Sequence, residues 1–192
     1  MINRELYMEQ ITPFIDKPFV KVITGIRRCG KSVVLRLIRE ELLRRGVSED
    51  YIIYMNFESF EWIDMKEAKA LYAHIREATK ASGKYYILLD EIQEVTDWEK
   101  AVNAFLVDLD VDIYVTGSNS RLLSSEFSTY LAGRYVAFHI MTLSFREYLL
   151  FHDLPLTISV SDRKTEFLKY LRMGGFPAIH TANYDYCLLY TS

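Results

Sequence analysis

The stretch "VITGIRRCGKSVVLRLI", residues 22–38, decides the fold. A β-branched apolar run leads into Gly25, four ill-matched residues follow, and Gly30-Lys31-Ser32 opens an amphipathic helix. Gly25-Ile26-Arg27-Arg28-Cys29-Gly30-Lys31-Ser32 fits G-x-x-x-x-G-K-[ST], with a strand predicted before it and a helix after it, which is the context this motif requires. The glycines let the backbone turn tightly and aim its N–H groups inward, and the helix N-terminus adds a field that favours phosphate. Residues 25–32, with Val33 beside them, are therefore expected to cradle nucleotide phosphates. Lys31 is expected to reach the β- and γ-phosphates, and the Ser32 hydroxyl to ligate Mg²⁺. Arg27 and Arg28 are either a screen for phosphate charge or a solvated loop tip, since the backbone amides already do that work.

Outward from this loop, short runs rich in β-branched and aromatic residues recur at "FVKVIT" (19–24), "YIIYMNF" (51–57), "YYILLD" (85–90), "VDIYVTG" (111–117) and "YVAFHI" (135–140), which predicts five strands. Between them Val34, Leu37, Ile38 and Leu42 make one apolar stripe, and Trp98, Ala101, Val102, Phe105 and Leu106 make another. Thr96 and Glu99 have the spacing of a capping box ahead of the second helix. Strand–helix alternation implies crossover connections and a mainly parallel sheet covered on both faces, an α/β fold of three layers. "YYILLD" and "YIIYMNF" are continuous enough to be doubly covered strands. Helical stretches at 145–154 and 164–176 form a small C-terminal appendage, and nothing marks a boundary before about residue 155. The expected division is a core over 1–155 and the start of a helical lid or following domain over 156–186.

The strand "YYILLD" ends in Asp90-Glu91. In a parallel sheet, ligands sit beyond the carboxyl ends of the strands, so these acids share a rim with the glycine loop. Asp90 is expected to hold Mg²⁺ through water, and Glu91 to orient and polarise an attacking water. "YVTGSNS" (114–120) also ends a strand, where Ser118 or Asn119 is placed to sense the γ-phosphate or the water, or to cap the helix predicted after it.

The chain of 192 residues is half hydrophobic, with a formal net charge of -3. That length suits one domain or one domain plus a fragment, and the acidic balance argues against bulk-charge attachment to nucleic acid. No run approaches the roughly 18 apolar residues of a membrane helix, and the N-terminus lacks a signal-peptide core, so the cytoplasm is the expected compartment. Cys29 and Cys187 have neither disulfide-framework nor metal-site spacing.

Together "ITGIRRCGKS", "LLDEIQEVTDWE", "YVTGSNSRLLSSE", "YLAGRYVAFHIMTLSFREYL" and "YLRMGGFP" resemble the prokaryotic P-loop ATPases of the AAA+ superfamily, in which an ATPase module precedes a further C-terminal domain. The likeness spans about residues 3–185. It implies strand order 5-1-4-3-2, Glu91 as the catalytic acid beside Asp90, and a polar sensor at Ser118 or Asn119. It also implies that Arg134 in "AGRY" faces the γ-phosphate, in cis or from a neighbouring subunit, and that "GGFP" (174–177) packs near the base, although the same stretch reads as an ordinary helix stop. The activity implied is ATP hydrolysis with Mg²⁺ in a switch or motor, with a homo-oligomer, and a protein or DNA partner engaged through the missing C-terminal domain. Two alternatives are a nucleotide-binding regulatory module with little turnover and a P-loop small-molecule kinase; the adjacent acids favour water activation over the kinase. Residues 187–192, "CLLYTS", match the translation of a transposase adapter used in sequencing libraries, so truncation is expected and this tail is set aside from the fold.

Overall fold

The computed structural model describes residues 4–118, 122 and 130–181; Asn119 and the tail at 187–192 lie outside them. The element order is α1 (Glu5–Ile11), β1 (Val20–Gly25), α2 (Lys31–Arg44), β2 (Ile52–Asn56), α3 (Ala68–Ala78), β3 (Tyr85–Asp90), α4 (Trp98–Asp108), β4 (Val111–Gly117), β5 (Tyr135–Ile140), α5 (Phe145–Phe151), α6 (Val160–Met173) and α7 (Pro177–Thr181). The five strands form one sheet in the order β2-β3-β4-β1-β5, with every pairing parallel. This is the expected order 5-1-4-3-2 read from the other edge.

Alternation along the strands divides the core into two layers, because successive side chains leave opposite faces of a sheet. Ile87 and Leu89 of β3, with Val22, Ile113 and Val115, pack beneath α3 and α4 against Leu71, Ile75, Val102 and Phe105. Tyr86 and Leu88, with Ile23 and Phe138, face α1 and α2 through Ile11, Val34, Ile38 and Leu42. The helical stripes legible in the sequence are these buried faces. The reading of "YIIYMNF" as a doubly covered strand is corrected: β2 is an edge strand in which only Met55 is fully buried, while β3 is buried throughout.

The capping box expected at Thr96 and Glu99 does not form. Asp97 occupies the N-cap of α4 in a left-handed conformation without a side-chain cap bond. The Thr96 backbone is engaged elsewhere, donating to Lys66 O at 2.9 Å and accepting from Ala68 N at 3.1 Å, in a bridge beside Glu67. A capping box does form at Ser144 and Glu147, which starts α5.

At the amino ends of the strands lies a buried polar cluster. Lys21 of β1 pairs with Asp112 of β4 and donates to Lys17 O at 2.8 Å. Asp112 also accepts from Tyr114 OH and from Asp16 N, each at 2.9 Å. Burial pulls the Lys21 ammonium below its ordinary range, and Asp112 opposes that pull.

The C-terminal appendage is tied by aromatic contacts, Phe145 meeting Phe167 edge-on at 5.1 Å and Tyr148 meeting Tyr170 at 5.4 Å. His152 Nε2 and His180 Nδ1 stand 3.2 Å apart, and His180 Nε2 lies 2.8 Å from Gly174 O. A carbonyl only accepts, which assigns the His180 proton to Nε2 and leaves His152 Nε2–H to donate. Among the described residues no helix is long and apolar enough to cross a membrane.

Candidate functional site

β1 ends at Gly25 and α2 begins at Lys31, so residues 26–30 wrap the helix N-terminus. Gly30 sits at φ 106°, a conformation that a side chain strains, and accepts the first helical bonds from Val33 N and Val34 N at 3.1 Å each. Arg28 is also left-handed, at φ 67°. The Cys29 thiol is buried, and burial pushes its pKa up, so it is a packing group and not a nucleophile.

The loop and the two acids meet at one rim. Lys31, 4% exposed, places Nζ 3.3 Å from Glu91 Oε1 and at the limit of contact, 3.5 Å, from Ile26 O. Glu91 follows the last residue of β3 in a left-handed conformation, φ 54° and ψ 48°. Its other carboxylate oxygen accepts from Gln93 Nε2. Asp90 is fully buried at the end of β3, where one oxygen accepts from Thr116 Oγ1 and the other from Tyr54 OH at 3.1 Å. Burial first, and the Asp90 charge second, push the Tyr54 phenol up to about 12, so it remains a donor at neutral pH.

A cavity of about 310 Å³ opens here, lined by Arg27, Lys31, Glu58, Glu91, Gln93 and Ser118. A Cβ on Gly117 would meet Gln93 Oε1 and the Leu122 side chain, which would have to shift to admit it. Arg27 and Glu58 form a 3.6 Å pair with both side chains well exposed, a contact worth little in water. Ser32 is the second residue of α2, half-buried beside Lys31. On the other flank of the loop a cleft of about 760 Å³ is bounded by Arg4, Gly30, Val33, Leu143, Phe151 and Pro177. A third cavity of about 860 Å³ runs along α1 and α2, but Glu5, Glu9, Glu40 and Glu41 line it and would repel a phosphate.

Thus Gly25, Lys31, Ser32, Asp90, Glu91 and Ser118 are brought together. Arg134 is not among them. It precedes β5 at the amino end of the sheet, where its carbonyl accepts from Val20 N at 2.8 Å, and its exposed guanidinium donates to Asn103 Oδ1 at 3.1 Å. It therefore lies on the rim opposite the phosphate loop. Sequence reasoning missed Tyr54, Thr116, Gln93 and Arg4. Gln93 and Thr116 are polar residues within three positions of Asp90 and Ser118 and carried a faint local signal.

Comparison with known proteins follows the same lines. Residues 17–149 match the family model described as an AAA domain. A Haemophilus influenzae protein named only as uncharacterized is 43% identical over 184 residues, covering 95% of this chain and 46% of that protein. The uncharacterized protein MJ1544 of Methanocaldococcus jannaschii is 35% identical over 184 residues, covering 93% of this chain and 39% of its own length. The chain thus spans less than half the length of these relatives. Among solved structures, AMPPCP-bound DnaA from Aquifex aeolicus superposes with a TM-score of 0.60 at 15% identity, covering 94% of this chain and 60% of that one. The Aeropyrum pernix ORC1 protein in complex with DNA superposes with a TM-score of 0.54 at 16% identity, covering 94% and 58%. These likenesses show a shared P-loop NTPase fold, and the family match over most of the chain shows that it belongs to the AAA domain family.

Proposed function

We propose that this chain is the ATPase module of a longer protein, binding ATP with Mg²⁺ and hydrolysing it to drive a switch or motor. The observation that carries the reading is the approach of Lys31 Nζ to Glu91 Oε1, 3.3 Å, at the rim where α2 starts and β3 ends. The amides of residues 25–33 hold the phosphates, and Lys31 leaves Glu91 to meet the β- and γ-phosphates. Ser32 and Asp90 are hard oxygen donors that fit Mg²⁺, since each Asp90 oxygen takes one hydroxyl and keeps a lone pair for a metal-bound water. When bound, the ion supplies charge neutralisation across the phosphates. Glu91, freed of Lys31, takes the proton of the attacking water, and Ser118, or Asn119 beyond the described residues, senses the phosphate end. The cleft on the far side of Gly30 suits the base, with Val33, Leu143, Phe151 and Pro177 as an apolar wall. Pro177 gives "GGFP" its role there.

Arg134 acts in this scheme on the site of a neighbouring copy, which fits its position on the opposite rim and a homo-oligomeric assembly. The DnaA neighbour holds AMPPCP and the ORC1 neighbour is in complex with DNA, which supports a nucleotide here and a DNA partner reached through the remainder of the protein; a protein partner and a cytoplasmic location belong to the same proposal. Titration of MgATP into the wild-type and Lys31→Ala chains, with phosphate release measured alongside, tests the reading. Wild-type binding that weakens sharply in the variant, with phosphate released without an acceptor, supports it. Unchanged affinity in Lys31→Ala removes the site, binding without release leaves a nucleotide-holding module, and release only with a small acceptor leaves a kinase.

A further inference from the structure

Arg4 is 2% exposed, and its guanidinium joins three separate parts of the chain. Nη1 donates to Cys29 O at 3.1 Å, inside the phosphate loop, and Nη2 donates to Met141 O at 2.8 Å, just past β5. Nε stands 2.7 Å from Glu147 Oε1 of α5 as an ion pair without hydrogen-bond alignment. The guanidinium lies 4.7 Å over the ring of Tyr7, whose hydroxyl accepts from Met141 N at 3.0 Å. Glu147 neutralises the charge, so Arg4 is not built as a direct phosphate ligand. An anchor for the N-terminal segment would need none of these contacts to fall in the loop.

The acceptor it holds is what matters. In a trans peptide the C=O and N–H point in opposite directions, so fixing Cys29 O fixes the direction of the Gly30 N–H. The residue after that peptide is a glycine at φ 106°, for which rotation of the Cys29–Gly30 plane meets little steric resistance. The loop alone therefore leaves this amide free to turn away from the cradle. A cation on the carbonyl also polarises the peptide and strengthens its N–H as a donor.

We infer that Arg4 is a positioning residue for phosphate binding: it clamps the Cys29 carbonyl so that the Gly30 N–H points at the phosphates, and it ties that peptide to α5 through Glu147. The inference rests on the nucleotide reading of the loop. Its test is titration of MgADP into the wild type, Arg4→Gln and Arg4→Lys, with the Gly30 amide followed by ¹⁵N–¹H NMR. Arg4→Gln is expected to bind MgADP about tenfold more weakly, about 1.4 kcal/mol. Arg4→Lys, whose ammonium still reaches one carbonyl, is expected to stay within about threefold of wild type. At saturating MgADP the Gly30 amide proton of Arg4→Gln moves upfield while that of Val34, inside α2, stays in place. A purely structural anchor would leave the change that MgADP produces at Gly30 the same in Arg4→Gln as in the wild type. Affinity within twofold of wild type in a folded Arg4→Gln chain, or an unmoved Gly30 amide, overturns the role. If Arg4→Gln does not fold, the wild type decides: MgADP must shift the Gly30 amide strongly, and a still amide overturns the proposal. A wild type that binds no MgADP defeats the nucleotide reading itself, which is a separate outcome.

Discussion

The hydroxyl of Thr116 donates to the Asp90 carboxylate and also receives the Glu91 N–H at 2.9 Å, so one β4 side chain spans both acids at the end of β3. Thr116 is fully buried.

Thr116→Val keeps the shape and removes both bonds. It leaves the Glu91 N–H without that acceptor and takes a donor from a buried carboxylate, a loss of about 1–3 kcal/mol. Thermal unfolding should show the drop. Turnover should fall further than MgATP affinity, because the change is at the acids and the loop is untouched; an unchanged melting temperature would show that the hydroxyl contributes nothing.

Glu91→Gln retains the left-handed backbone and the Thr116 bond while deleting the base. Phosphate release is expected to drop by about 10²-fold or more. MgATP should bind as well as wild type or better, since Lys31 no longer has a carboxylate partner to leave. Wild-type turnover in this variant would move the base to another residue.

Arg134→Ala removes an exposed side chain on the rim away from the loop, so the fold should be unaffected. If the guanidinium serves a neighbouring copy, a mixture of Arg134→Ala and Lys31→Ala subunits should recover phosphate release that neither has alone. Absence of recovery at every mixing ratio would end the role between copies.

The His152 imidazole is held below its ordinary 6.5, by burial first and by His180 second, with Lys169 adding to the effect and Glu166 and Asp153 opposing it. The folded chain therefore resists a proton that the unfolded chain accepts. His152 costs nothing above about pH 7 and destabilises the fold as pH falls below the unfolded value, so stability rises with pH through that window. Melting temperatures between about pH 5.5 and 8 should show a slope that His152→Gln reduces. An equal slope in the variant would place the dependence elsewhere.

Much of this architecture is written locally. The five strands and the α2 and α4 faces follow from periodicities within single segments, and the loop at 25–32 is a contiguous motif. The contacts that complete the site are not local. Thr116 reaches Asp90 across 26 residues, Tyr54 reaches it across 36, and Arg4 reaches Met141 across 137. Nothing in "INREL" distinguishes a buried clamp from a surface arginine until β5 and α5 are folded around it. Thr96 shows the reverse case, a sound local capping pattern overruled because its backbone pairs with Lys66 and Ala68. Arg134 was legible as a charge and not as a location, since the end of the sheet it occupies depends on the parallel pairing of β5 with β1.

The Lys21–Asp112 pair also bears on how the chain finds its strand order. Both edges of β1 await later strands, β4 on one side and β5 on the other, and 91 residues separate Lys21 from Asp112. During synthesis β2 and β3 emerge first, and either could occupy β1's vacant edge. In such a pairing Lys21 would be buried without the Asp112 carboxylate, with only the half-exposed Asp16 to offset its charge, a penalty of several kcal/mol. A buried lysine whose partner carboxylate sits on β4 therefore favours β4 beside β1 over the apolar strands β2 and β3. A Lys21→Met, Asp112→Asn chain should keep its sheet but lose this discrimination, refolding through an added slow phase as wrongly ordered strands separate.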